Sequence, residues 1–269
     1  MGLLNKIFNK ETKQIETTQG HQENWDFYFS NVDNIIGSYF IDLGLIKIAP
    51  IKDKTNLIWI SISMNNPKED GLSSNEESQT LFEIEDNLVK NIKTKHKAIY
   101  VGRLTSNSKR ELYFYSGDTT LYDKTISESM VKYPMYEYDY TLKDDKDWDT
   151  YQGFLYPTPQ QFQCIQNRHV VEQLEKEGDK LIKEREVDHW IYFKSESDRT
   201  EFLELIKNDG FTIIYNGSDK TYEYPYSLQI KRIDKVDQNS VDEYVTYLWK
   251  AANDCNGDYD GWETSVEKD

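Results

Sequence analysis

The chain has 269 residues, 37% of them hydrophobic, and a formal net charge of -16. That length allows one large domain or two ordinary ones. The charge argues against phosphate backbones and anionic lipid headgroups as direct partners and favours a basic protein surface.

The 20 Tyr, 11 Phe and 6 Trp supply the core mass that a chain poor in Leu and Val would otherwise lack. Residues 157–269 hold 14 Lys and Arg against 24 Asp and Glu, a balance of -10, and the preceding residues hold 18 against 24, a balance of -6. No basic segment is hidden in the average. Cys164 and Cys255 are too few for a disulfide framework, which points to a reducing, cytoplasmic setting. No run of 18 apolar residues exists, so no membrane span is expected. Residues 1–8 are too short and too polar for a signal peptide.

Residues 1–22 read as a weakly ordered arm, with a short docked helix as the other reading. Trp25, Phe27 and Phe29 alternate with Asp26, Tyr28 and Ser30, the period of a strand. A turn at Asn31–Asn34 and a second strand from Gly37 to about Pro50, bulged near Leu43–Leu45, complete a leading hairpin.

A longer pattern then begins. Leu57–Met64 is a strand, and Glu76–Ile92 is a helix with Leu81, Ile84, Leu88 and Ile92 on one face. Ala98–Leu104 and Glu111–Tyr115 are paired strands around a turn at Ser106–Ser108. Asp118 or Thr119 caps a helix that runs to Val131. Met135–Leu142 is a strand with Tyr136, Tyr138 and Tyr140 on one side. The order is β-α-β-β-α-β.

Asp144–Asp147 reads as a solvated turn, and Trp148, Tyr151, Phe154 and Leu155 as a segment docked on a surface. Thr158 and Pro159 start a helix through Phe162, Ile165 and Leu174 that ends at Gly178, the expected connector over residues 157–180. The order then repeats. His189–Lys194 is a strand, and Ser197 or Asp198 caps a helix with Phe202, Leu205 and Ile206 inward. Gly210 ends it. Phe211–Tyr215 and Tyr224–Ile233 are strands around a turn at Asn216–Asp219. Ser240 caps a helix through Val241, Tyr244, Leu248 and Ala251. Tyr259–Val266 is the last strand.

The expected fold class is α+β: two tandem ferredoxin-like domains over residues 23–156 and 181–269. Each has an antiparallel sheet with helices on one face, and the first carries the extra hairpin. The second face of such a sheet is open to solvent or a partner.

Residues 256–264 concentrate two glycines, three carboxylates and two large aromatics. One reading is a calcium loop, with ligands Asn256, Asp258, Asp260 and Glu267 around Gly261. Position 1 is Asn, the charged Glu263 sits where an apolar residue joins paired loops, and no exiting helix can follow. The structural reading makes Asp260–Gly261 a turn or bulge and Trp262 the anchor of a closing strand.

This run resembles the C-terminal signature of the regulator of ribonuclease activity B (RraB) family, with Tyr259, Gly261 and Trp262 at its centre. So do Trp190–Phe193, then Asp198, Phe202, Leu205 and Ile206, then Asp209–Phe211. The resemblance covers roughly residues 180–266. It implies a ferredoxin-like fold and a non-catalytic protein, since the best-known members bind and inhibit ribonuclease E through its scaffold region. Residues from Trp25 to about Leu155 look similar to the domain of unknown function 695 (DUF695) family. The carriers are Trp25–Phe29, Ile58–Ser63, Tyr100–Arg103 and the Trp148, Tyr151, Leu155–Pro157 run.

Other chemistry is sparse. His21, His96, His169 and His189 lack metal-ligand spacing, and no phosphate loop or nucleophile motif occurs. Neither metal nor cofactor nor catalytic residues are expected. The alternating tyrosines at 136–140 and 222–226 could stack bases on a sheet, but the acidity argues against direct nucleic-acid binding. The expected function is a non-enzymatic regulator of a ribonuclease or RNA-processing enzyme, docked on a basic partner surface. Asp258, Asp260, Glu263, Trp190 and Tyr192 are its candidate contacts. The alternative is an enzyme or small-ligand module with a site at the seam between the domains.

Overall fold

The structure is a computed structural model and describes residues 21–268. The expected arm falls almost wholly outside the described residues. These form two compact units that meet in sequence between Gln161 and Phe162.

In the first unit six strands form one antiparallel sheet: β1 (Trp25–Val32), β2 (Ile35–Asp42), β3 (Asn56–Ser63), β4 (Ile99–Ser106), β5 (Lys109–Ser116) and β6 (Tyr138–Asp144), in the order β1-β2-β4-β5-β3-β6. Helices α1 (Asn75–His96) and α2 (Tyr122–Met130) complete it. Ser74 caps α1 by accepting from Glu77 N at 3.3 Å. Leu81, Ile84, Leu88 and Ile92 then bury against Ile58, Ile60 and Ile62. The leading hairpin extends the sheet through β2, whose register runs from Gly37 opposite Ser106 to Ile41 opposite Gly102.

Several local expectations shift. β2 stops at Asp42 and passes into a 3-10 turn, Leu43–Lys47, because the Asp42 carboxylate accepts from Gly44 N at 3.0 Å and Asn24 N at 2.9 Å. Neither Asp118 nor Thr119 caps α2. Leu121 holds that place in a left-handed conformation without a side-chain bond. The expected solvated turn contains the buried Asp145, which accepts from Tyr115 Oη at 2.6 Å and from the Asp149 and Thr150 amides at 3.1 Å. Burial would raise that carboxyl, but the bonds from Tyr115 and Thr150 hold it below the usual range. Asp145 thereby sets up a π-helical turn, Thr150–Leu155. Trp148 stacks on Tyr115 at 4.0 Å, and the Tyr28 hydroxyl donates to Leu155 O at 2.8 Å. Part of the sheet face opposite the helices is therefore covered by its own chain.

In the second unit the strands are β7 (Arg185–Phe193), β8 (Thr212–Ser218), β9 (Tyr226–Asp234) and β10 (Gly257–Thr264), antiparallel in the order β10-β7-β9-β8. Helices α4 (Glu196–Ile206) and α5 (Gln238–Asp254) follow β7 and β9. Their caps sit upstream of the expected residues. Ser195 accepts from Asp198 N at 3.1 Å, and Asp237 accepts from Ser240 N at 3.1 Å. Leu205 is 54% exposed rather than inward, while Phe202 and Ile206 are buried. Asn216–Ser218 belong to β8, and the connection moves to residues 219–225, where Asp219 N donates to Pro225 O at 2.7 Å.

Helix α3 (Pro159–Lys176) contributes Val170, Val171 and Leu174 to the second core, with Phe193, Phe202, Tyr244 and Leu248. The expected connector is thus a third helix of that core. Across the described residues, no helix is long and apolar enough to cross a membrane.

Candidate functional site: an acidic, aromatic face on the second sheet

In β7, the odd positions Val187, His189, Ile191 and Phe193 face the core, and Asp188, Trp190 and Tyr192 are half-buried on the other side. β10 pairs with β7 antiparallel. Its register skips a residue between Tyr259 and Gly261, so Asp260 is the extra residue of a β-bulge. Gly261 sits there at φ 147°, a conformation that favours glycine.

The bulge resets the alternation of the strand. Tyr259 and Trp262 are three residues apart yet both face the core, 6% and 2% exposed. Trp262 Nε1 donates to Asn167 Oδ1 of α3 at 3.1 Å. The Tyr259 hydroxyl and His189 Nδ1 share a hydrogen bond of 2.8 Å. Burial, followed by the nearby Arg232, pushes His189 down to about 3, so the ring is neutral. The three signature residues Tyr259, Gly261 and Trp262 thus form an internal latch.

Asp258 and Asp260 flank the inward Tyr259 and so turn outward by ordinary alternation, where they are exposed. Asp258 lies opposite Tyr192, Gly261 opposite Trp190, and Glu263 opposite Asp188. Asp258, Asp260 and Tyr192 line one groove of about 550 Å³ with Asp219, Tyr222, Glu223 and Tyr224. Trp190 and Glu263 lie farther along the strands and do not line it. Burial and then the charge of Asp258 raise the Asp260 carboxyl. Burial, then Asp260, Asp258 and Tyr222 in turn, raise the Tyr192 phenol.

The contribution of residues 219–224 was missed by pattern reading. Tyr222, Tyr224 and Tyr226 look like one alternating strand, but β9 starts only at Tyr226, and the first two tyrosines stand on the β8–β9 connection. Asp219 shapes that loop by accepting from Thr221 N at 3.0 Å and Thr221 Oγ1 at 2.8 Å. The density of Tyr and acid in this loop was the available signal. The other tyrosine series, Tyr136, Tyr138 and Tyr140, packs against the first core under the helices.

Other features offer less chemistry. Among the described residues, no group of three His, Cys, Asp or Glu side chains is placed to hold a metal ion. Burial, its largest cause, raises the thiol of Cys164 and that of Cys255, so neither is an activated nucleophile.

Two family models match the chain. One, a family of unknown function (DUF695), matches residues 23–156. The other, regulator of ribonuclease activity B (RraB), matches residues 164–264. The chain joins a DUF695-like domain to an RraB-like domain, in that order. The RraB-like match contains the whole groove and the buried latch beneath it. No curated protein matches the chain. An unknown protein of solved structure from Galdieria sulphuraria is 10% identical over 79% of this chain and 99% of that chain, with a TM-score of 0.22.

Proposed function

We propose that this protein is a non-catalytic regulator that binds a basic segment of a ribonuclease or RNA-processing enzyme in the cytoplasm, using the outer face of its RraB-like sheet. We read both units as ferredoxin-like, each with the order β-α-β-β-α-β. The observation that carries the functional reading is the set of Asp258, Asp260, Trp190 and Tyr192 turned to one side of β7 and β10. The family description, a regulator of ribonuclease activity, supports the class of partner. The charge of -16 supports fast, electrostatically steered encounter, with the aromatic rings supplying the held contact.

The test measures cleavage of an RNA substrate by a purified endoribonuclease from the same organism, with and without the full chain. The expected result is altered cleavage that weakens as salt rises and is lost in the Asp258→Asn/Asp260→Asn variant. Unaltered cleavage, or an effect indifferent to salt and to both substitutions, would overturn the reading.

A further inference from the structure

The groove between residues 219–225 and the bulge of β10 carries a more specific recognition chemistry. None of the side chains lining it is cationic. Tyr192, Tyr222 and Tyr224 give it aromatic walls, and Glu223, Asp258 and Asp260 give it carboxylates. Asp219 is committed to Thr221 and serves the loop. Tyr222 is 70% exposed, so its ring is accessible.

Aromatic faces beside carboxylates make up the chemistry that binds an organic cation: ring quadrupole attraction from one side and charge-assisted hydrogen bonds from the other. The walls already show this affinity. Lys194 Nζ lies 5.2 Å from the centre of the Tyr224 ring and takes one of its faces. Partial desolvation in the groove makes Asp260 costly to charge, and repulsion from Asp258 adds to that cost. A cation between them would remove that cost. A bare metal ion fits poorly, because these carboxylates do not form a metal-holding group. A planar guanidinium fits well, since it can stack on a tyrosine and fork its N–H donors to carboxylates together.

We infer that this groove is an arginine-recognition site, taking one guanidinium from an extended, arginine-bearing segment of the partner protein. The inference rests on the reading of this face as a protein-binding surface and adds where, and by what group, the partner is held. The site therefore prefers arginine to lysine, and it reads one side chain while the rest of the acidic face supplies longer-range attraction.

The experiment titrates the full chain, isotopically labelled, with three blocked pentapeptides: Gly-Arg-Gly-Arg-Gly, its lysine analogue and its citrulline analogue. Binding is followed by NMR. A nona-arginine peptide is titrated in parallel to report on the acidic face as a whole. The expected result is arginine-dependent shifts confined to residues 192, 219–227 and 258–260. Affinity should fall about 5- to 10-fold in Tyr222→Ala/Tyr224→Ala, in Asp260→Asn and in the lysine analogue. The citrulline analogue should not bind. Both tyrosines stand on a surface loop, and an unchanged spectrum elsewhere shows that the fold is kept. If nona-arginine binds while the pentapeptide shifts lie elsewhere, or the tyrosine variant binds equally, the groove assignment fails and the acidic-face reading stands. Equal binding of the citrulline analogue also overturns the assignment. If nona-arginine does not bind either, both readings fall.

Discussion

Trp262 holds most of the structural weight of the C-terminal segment. It is almost fully buried, and its indole donates to Asn167, whose amide in turn donates to Asp242 Oδ1 at 2.8 Å. Trp262→Ala would remove the largest side chain of this core and leave the Asn167 oxygen with only its bond from Gln163 Nε2 at 3.2 Å. A loss of about 3–5 kcal/mol is expected, read from the urea midpoint. His189 makes a contrasting prediction. Its folded pKa of about 3 lies below the value of about 6.5 in an unfolded chain. As pH falls below about 6.5 the unfolded state takes up a proton that the folded state refuses, so stability declines from there toward pH 3. The imidazole should stay neutral by NMR from pH 8 to pH 4. A midpoint near 6.5 would contradict the burial.

Between residue and fold, the β10 bulge is the decisive element. It lets one strand place Tyr259 and Trp262 both inward. Asp260 has its folded pKa raised by burial and by Asp258, so the folded state binds a proton more readily than the unfolded one. Its charge therefore opposes folding above the raised value, and that penalty fades as pH falls through it. Asp260→Asn should raise the melting temperature at pH 7 and lose its advantage near pH 4. It should weaken partner binding at the same time, which separates a recognition role from a structural one. The tail is tied down differently. The buried Asp179 pairs with Arg185, accepts from Glu267 N at 2.8 Å and Leu181 N at 2.8 Å, and Arg185 Nη1 donates to Ser265 O at 2.9 Å. Asp179→Ala would strand the arginine charge and cost about 3–5 kcal/mol in a denaturation experiment.

For the whole molecule, an acidic chain that associates with a basic surface should do so fast and with strong salt dependence. Stopped-flow association with a basic partner should slow about tenfold or more between 20 and 200 mM salt, as ions screen charge beyond about 10 Å, while dissociation changes little. An unchanged association rate would remove electrostatic steering from the account. The two units differ here. The first sheet is covered over part of its outer side by Trp148, Tyr151 and Leu155, all fully buried, whereas the second keeps Trp190 and Tyr192 half-buried.

Much of this was legible in the amino-acid order alone. Ile58, Ile60 and Ile62 at period 2, and Leu81, Ile84, Leu88 and Ile92 at helical spacing, identify their elements because backbone geometry fixes which neighbours share a face. The repeated β-α-β-β-α-β order and the excess of acid are likewise properties of the chain itself. Cap positions were less legible, because Ser195 and Asp237 compete with equally good caps two or three residues away. Only the tertiary structure decided that Asp145 is buried beneath Tyr115, since no local pattern marks an acid that distant donors will surround. Only the register of β10 on β7, with its bulge at Asp260, brought Trp262 to the same inner side as Tyr259. Only the folded sheet brought Asp258 and Asp260 to the tyrosines of the 219–225 loop, more than 30 residues earlier in the chain. Sequence periodicity reports neighbours a few residues apart, and this groove is built from segments that meet only when strands pair.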